Sequence, residues 1–134
     1  MAGRFVDTNV ILYLASSDAE KADRAEAEIA KGGTISVQVL NETANVLRRK
    51  LRMSWPDTHL FLDMIRALLN VEPLTVATHE TGLVISERYG LSIYDAMIVA
   101  TALVAGCDTL LSEDMQDGMN IDDSLRIVNP FAQS

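Results

Sequence analysis

Short apolar runs alternate with longer helical stretches along the whole chain, and this alternation restricts the fold more than any other feature. Helices between successive strands are typical of a parallel sheet that is covered on both faces. We therefore predict an α/β fold of three layers, α/β/α, around a mainly parallel five-stranded sheet, with residues 1–134 as a single domain. The apolar runs predict strands near residues 4–7, 34–37, 71–75, 108–112 and 125–128.

Several helices begin or end at residues with known capping preferences. Ser17 and Glu20 form a capping box, which predicts a helix that ends at Gly32. Pro56 fits the first turn of another helix, and Thr78 is expected to cap a later one.

One predicted helix has an apolar residue on almost every side. It runs from Ser92 to Gly106 and contains the stretch AMIVATALVA. A helix that is apolar all round has to be buried, so we expect it to pack against the sheet.

Composition limits the environment in which the chain works. The single cysteine, Cys107, excludes an intramolecular disulfide and fits a reducing compartment. The N-terminal residues lack the apolar region of a signal peptide, and no apolar stretch approaches the roughly 20 residues of a membrane span. We expect a cytoplasmic protein without a membrane partner.

The charge is unevenly distributed. A net charge of -8 argues against a protein that coats nucleic acid, because phosphate contacts require Lys and Arg. A basic cluster nevertheless occurs at Arg48, Arg49, Lys50 and Arg52, and any RNA contact is expected to start there. The alternative is that these side chains only interact favourably with the C-terminal end of a helix dipole.

Four acidic residues stand at strand ends or in the first turns of helices: Asp7, Glu42, Asp95 and Asp114. In open α/β sheets, ligands bind beyond the carboxyl ends of the strands, which is where these side chains should gather. Two like charges about 4 Å apart repel by roughly 4 kcal/mol at an effective dielectric constant near 20. A hard divalent cation relieves such repulsion, and oxygen ligands favour Mg²⁺ or Mn²⁺.

Each acid also has a purely structural interpretation. Asp7 and Asp114 could cap the segments that follow them, and Asp95 fits a capping box with Ser92. Glu42 could simply favour the N-terminal end of a helix dipole. These interpretations do not explain why all four acids recur at the same edge of the predicted sheet.

The acids lie in three longer segments, which occur in the order FVDTNVILYLAS, VLNETANVLRR and LSIYDAMIVATALVAGCDTLLSEDM. Together these segments resemble PIN domains, and in particular the toxin-type ribonucleases of the VapC kind. The resemblance implies that Asp7, Glu42, Asp95 and Asp114 are the catalytic and metal-binding acids. Ser112 replaces the usual Thr of the T-x-D segment and keeps its hydroxyl group, and that spacing favours Asp114 over the adjacent Glu113.

The resemblance also implies supporting residues and partners. Thr8 and Asn9 match small polar residues that support the metal site, Ser112 is assigned to the same role, and Asp117 matches a further acid of that loop. The implied protein is a Mg²⁺- or Mn²⁺-dependent endoribonuclease, usually dimeric, with an antitoxin as partner and an RNA such as transfer RNA as substrate.

The four acids can be given separate roles in phosphodiester hydrolysis. Phosphodiester hydrolysis requires an activated water, a neutralised phosphate oxygen and a stabilised leaving oxygen, all of which divalent ions can supply. Asp7, Asp95 and Asp114 are expected to hold the principal ion directly or through water. Glu42 is expected to complete the site or orient the attacking water.

Two other function classes stay open. An aspartate-based phosphatase would require a second acid at the position where this chain has Asn9. It would also require a lysine near a later strand end, where this sequence has none. A non-catalytic PIN-like module would act through protein contacts, for which the apolar stripe from Phe61 to Leu68 is a candidate surface.

Overall fold

The computed structural model describes residues 3–132 and contains one six-stranded sheet flanked by helices. Residues 1, 2, 133 and 134 of the predicted domain lie outside the described residues. The strands are β1 Gly3–Val6, β2 Thr34–Ser36, β3 Asn70–Glu72, β4 Cys107–Leu111, β5 Asn120–Ile121 and β6 Leu125–Val128. The helices are α1 Thr8–Leu12, α2 Ala19–Ala30, α3 Val37–Arg49, α4 Trp55–Leu68, α5 Val76–Tyr89 and α6 Ile93–Val104, with a 3-10 turn at Tyr13–Ala15.

The sheet has the order β3-β2-β1-β4-β6-β5 and is parallel except for β5, which runs antiparallel to β6. The predicted α/β class and the mainly parallel sheet are confirmed. The predicted number of five strands was wrong, because the sheet has a sixth strand, β5, that was not predicted. A strand of only two residues has too little alternation to be recognised, and β5 exists because Asp122 and Asp123, both at positive φ (52° and 57°), turn the chain back into β6.

Two predicted helix caps were wrong, one by a single residue and the other by three. Asp18, and not Ser17, caps α2, because the Asp18 carboxylate accepts a hydrogen bond from the Lys21 N–H. Thr75, and not Thr78, caps α5 through the Thr78 N–H. In both cases a neighbouring residue with a suitable side chain has the extended backbone that a cap requires.

Helix α6 is the buried helix that the sequence predicts. Ser92 caps it, and every residue from 96 to 102 is buried. Gly82 of α5 lies so close to it that an added Cβ would be 2.5 Å from the Met97 Sδ. This close packing fixes the N-terminal end of α6, and with it Asp95, relative to α5.

The strand register places the ends of β1 and β4 side by side. Val6 pairs with Leu111, and the Asp7 N–H donates to the Leu111 carbonyl over 2.9 Å. Asp7 and Ser112, the residues after the two strands, are therefore neighbours. Within residues 3–132, every helix is too short or too polar to cross a lipid bilayer.

Candidate active site

A cleft of about 340 Å³ opens at the carboxyl ends of β1 and β4. All four predicted acids line it, although they come from four separate parts of the chain. The complete lining consists of Asp7, Thr8, Asn9, Leu12, Glu42, Asn45, Val46, Asp95 and Asp114. A larger groove of about 560 Å³ runs between α2 and residues 130–132, but its lining includes none of the four acids.

Asp7 is the most deeply buried of the four acids, with 5% of its surface exposed. Its Oδ1 accepts a hydrogen bond from the Thr8 N–H over 2.7 Å, so it also caps α1 as the structural interpretation predicts. Its Oδ2 accepts from the Ser112 hydroxyl over 2.8 Å. Burial, with smaller contributions from the charges of Glu42 and Asp95, raises the pKa of Asp7 to about 6, although the hydrogen bonds from Ser112 and Thr8 act in the opposite direction. The carboxylate is held in position but is not neutralised.

Asn9 connects the first acid to the last. Its Nδ2 donates to Asp7 Oδ2 and to Asp114 Oδ2, each over 3.2 Å. Its Oδ1 accepts the Glu113 N–H over 3.0 Å, which fixes the orientation of the amide. A single side chain therefore links the carboxylates of Asp7 and Asp114.

The side chains of the adjacent acids Glu113 and Asp114 lie in different places. Asp114 lines the cleft. Glu113 lies outside it and accepts hydrogen bonds from Lys21 Nζ over 2.7 Å and from the Tyr13 hydroxyl over 2.5 Å. Burial raises the pKa of Glu113, but these two hydrogen bonds outweigh burial and lower the pKa overall.

Glu42 is held by one hydrogen bond on each carboxylate oxygen. The Thr8 hydroxyl donates to Oε1 over 2.6 Å, and Gln38 Nε2 donates to Oε2 over 3.2 Å. Gln38 Nε2 also donates to the Tyr94 carbonyl over 3.0 Å, which joins α3 to the start of α6. Gln38 was not predicted; its only signal in the sequence is its position four residues before Glu42 on the same helix face.

Asp95 lies across the cleft at the start of α6. Burial raises its pKa, an interaction with Ser92 opposes this shift, and the charges of Asp114 and Glu42 raise the pKa further. The Asp95 N–H donates to the Ser92 hydroxyl over 3.1 Å, which is the half of a capping box that Ser92 supplies. The Asp95 side chain itself lines the cleft.

Two groups of predicted site residues lie outside the cleft. Asp117 Oδ1 accepts the Asn129 N–H over 2.9 Å and has no part in the lining. Arg48 donates to the Met53 carbonyl and stacks on Trp55, with its guanidinium carbon 4.1 Å from the ring centre. Arg49 and Arg52 are exposed and stand beyond the lining.

The donor set of the cleft fits a hard divalent cation. All its charged groups are carboxylates, and neither Lys nor Arg occurs among the lining residues. In the described part of the chain, however, no three Asp, Glu, His or Cys side chains are arranged to hold an ion as they stand. Mg²⁺ commonly keeps several waters and takes only one or two protein carboxylates, so a wide acidic cleft suits it.

The fold and the cleft together define an α/β protein with an acidic site at the carboxyl edge of a parallel sheet. This chain belongs to the PIN domain family, whose family profile matches residues 4–116. The resemblance predicted from the three sequence segments is thereby confirmed. Among the curated proteins compared, none matches the chain.

Several known structures share the fold. A toxin-antitoxin complex from Klebsiella pneumoniae is 23% identical, with a TM-score of 0.71 over 96% of this chain and 98% of that chain. VapC20 of Mycobacterium tuberculosis, a sarcin-ricin loop cleaving toxin, is 21% identical, with a TM-score of 0.62 over 80% and 86%. VapBC2 from Rickettsia felis, bound to a DNA fragment from its promoter, is 21% identical, with a TM-score of 0.58 over 83% and 87%.

Proposed function

We propose that this protein is a divalent-metal-dependent endoribonuclease and the toxin of a toxin-antitoxin pair. The observation that carries the proposal is the convergence of four carboxylates, from four separate segments, in one cleft without a cationic side chain in its lining. Membership of the PIN domain family supports it. Toxins occur among the structures that share the fold, and they support the proposal that this chain is the toxin of such a pair.

The proposed catalytic acids have distinct environments that suit distinct roles. A bound Mg²⁺ or Mn²⁺ would neutralise a phosphate oxygen and supply an activated water. Asp7, Asp95 and Asp114 would hold the ion, directly or through water. Thr8, Asn9 and Ser112 would keep the carboxylates in place through the hydrogen bonds described above. Asp117, whose carboxylate binds the Asn129 N–H, is the weakest of the proposed supporting residues.

Glu42 is the proposed residue for orienting the attacking water. Thr8 and Gln38 each occupy one lone pair of its carboxylate, so its position is fixed while further acceptor sites stay free. A carboxylate held in this way can accept a hydrogen bond from water without moving.

The proposed path for RNA follows α3 away from the acids. Arg49 comes seven residues after Glu42, about 10 Å farther along the same helix face. Arg49 and Arg52 would contact phosphates of the substrate. Arg48 stays in this proposal as a supporting residue, because its guanidinium is already bound to Met53 and Trp55.

The proposed partners are an RNA, of which transfer RNA is one candidate, an antitoxin and a second copy of the chain, all in the cytoplasm. Of the predicted stripe from Phe61 to Leu68, Ile65 belongs to the core and Phe61 packs against it. The apolar side chains that α4 exposes, on which another protein could pack, are Leu60, Met64 and Leu68. We expect a Lys or Arg of an antitoxin to reach the acidic cleft and compete with the metal, since the cleft has four acids and no cation of its own.

The test is cleavage of total RNA by the purified chain in Mn²⁺, in Mg²⁺ and in EDTA. Asp7→Asn is expected to abolish cleavage. Asp108→Asn is the matched control, because Asp108 is an exposed acid near the opposite end of β4 and should leave cleavage unchanged. Cleavage that persists in EDTA and in the Asp7→Asn variant would contradict the proposal.

The alternative classes make different predictions in the same experiment. A non-catalytic module would leave RNA intact in every buffer. An aspartate-based phosphatase would release phosphate from a small phosphate ester, and the structure weakens this possibility because Asn9 bridges Asp7 and Asp114 where that class needs an acid.

A further inference from the structure

One wall of the cleft differs chemically from the acidic side. It is formed by Leu12 of α1 together with Asn45 and Val46 of α3. Leu12 and Val46 are half-buried, whereas Asn45 is exposed. Across residues 3–132, the Asn45 amide makes no hydrogen bond to another protein group, in contrast to the amides of Asn9 and Gln38.

This wall is better suited to a base than to a metal ion or a phosphate. It offers two aliphatic side chains and one neutral amide, and it has no positive charge. Of the parts of a nucleotide, only the base combines an apolar face with hydrogen-bonding edges. Proteins that recognise single-stranded RNA hold splayed-out bases in this way, through face contacts and edge hydrogen bonds.

The position of Asn45 places it between the two sites proposed for RNA. Asn45 lies one turn after Glu42 and one turn before Arg49, on the side of α3 that faces the cleft. A strand that runs from the acids toward Arg49 has to pass it. The base next to the reacting phosphate would then lie against Leu12 and Val46.

We infer that Leu12, Asn45 and Val46 form a nucleobase subsite that selects the RNA base next to the cleaved bond. This inference rests on the proposed function. The side-chain amide of Asn binds adenine with two hydrogen bonds, at N6 and N7, which makes adenine the base that the subsite favours. Asn45 is therefore a specificity-determining residue, separate from the acids that carry the reaction.

The test uses a pool of RNA oligonucleotides with a randomised central segment, cleaved in Mn²⁺ and sequenced at the new ends. The wild-type chain is expected to enrich adenine at one fixed position beside the cut. Asn45→Ala should reduce that enrichment roughly 5- to 150-fold, the range for losing one bidentate base contact. Asn45→Asp should shift the preference toward cytosine, because a carboxylate accepts from the cytosine N4 amine.

Asn41→Ala is the matched control. Asn41 is an exposed amide on the same helix, one turn earlier, and it does not line the cleft. An equal loss of preference in both alanine variants would overturn the subsite, as would an unchanged preference in Asn45→Ala. A wild-type chain that cuts no RNA at all would overturn the proposed function and this inference together.

A binding measurement gives a second readout that does not depend on cleavage. With ¹⁵N-labelled protein in Mg²⁺, adenosine monophosphate should shift the side-chain amide resonances of Asn45 more than uridine monophosphate does. The Asn41 resonances should stay in place. Equal shifts with both nucleotides would overturn the selection of adenine.

Discussion

Lys21 forms an ion pair with Glu113, with 2.7 Å between Nζ and Oε2, and the backbone of Glu113 continues directly into Asp114. The Lys21 ammonium also donates to the Tyr13 hydroxyl over 2.9 Å and lies 4.6 Å from the centre of the Tyr13 ring. The Glu113 N–H donates to Asn9, whose amide binds Asp7 and Asp114. The ion pair therefore braces the loop that carries the last acid of the cleft.

Lys21→Met should weaken metal binding without unfolding the protein. The loop from Ser112 to Asp114 would lose its brace, and Asp114 would be held less well. We expect the apparent affinity for Mn²⁺ to fall by up to about 10-fold, the low end of the effect of losing an outer partner of a metal ligand. Titration calorimetry with Mn²⁺ measures this change.

Lys21→Arg is the control for this prediction, because it retains the positive charge that faces Glu113. It should restore most of the affinity. Equal affinities of the wild-type chain and Lys21→Met would contradict the bracing role.

Ser112→Ala should destabilise the metal-free protein and weaken metal binding. Ser112 is fully buried and donates the shortest side-chain hydrogen bond that Asp7 receives. Loss of a donor to a buried carboxylate costs about 1 to 3 kcal/mol of unfolding free energy at pH 7.5. Urea denaturation in EDTA measures the stability. Ser112→Thr, which keeps the hydroxyl group, should retain activity, and a fully active Ser112→Ala would count against the assignment.

The sequence contains enough information to predict which acids meet, because that depends on strand ends. Asp7 and Asp114 follow apolar runs of adjacent parallel strands, and the carboxyl ends of such strands lie at one edge of a sheet. The burial of α6 was equally predictable, because its apolar residues have no exposed side.

Contacts between distant polar side chains were not predictable. Lys21 and Glu113 are separated by 92 positions in the chain, and Gln38 reaches the Tyr94 carbonyl across 56 positions. These contacts depend on how α2, α3 and α6 pack, and no local spacing encodes that packing. Strand β5 escaped prediction for a different reason, since two residues are too few to show a period of two.

Gln38→Ala should lower the turnover number more than it changes KM. The substitution removes the hydrogen bond to Glu42 Oε2 and the link from α3 to Tyr94, while the acids themselves stay. If Glu42 orients the attacking water, kcat should fall about 10-fold, within the range for displacement of a positioned group. Steady-state kinetics on an RNA oligonucleotide separates the two constants. An effect on KM alone would show that Gln38 serves binding.

Asp7→Asn should stabilise the metal-free protein at neutral pH but not at acidic pH. The pKa of Asp7 is raised from 3.8 to about 6 in the folded state, so between these values the folded chain holds a proton that the unfolded chain releases. The free energy of unfolding therefore falls as pH rises from about 4 to 6, by about 1 to 3 kcal/mol in total. The Asn side chain of the variant does not titrate, so this fall in unfolding free energy is absent from it.

Urea denaturation in EDTA at pH 4, 5, 6 and 7.5 measures the difference in unfolding free energy between the wild-type chain and Asp7→Asn. The pKa of Asp95 is also raised, so Asp95 makes the unfolding free energy of both proteins fall with rising pH. Only the difference in unfolding free energy between the two proteins therefore reports on Asp7. Mn²⁺ should stabilise the wild-type chain increasingly across the same pH range, because a metal ligand has to be deprotonated. If the unfolding free energies of the two proteins changed in parallel with pH, the hydrogen bonds to Asp7 would fully offset its burial, and the carboxylate would not need a cation.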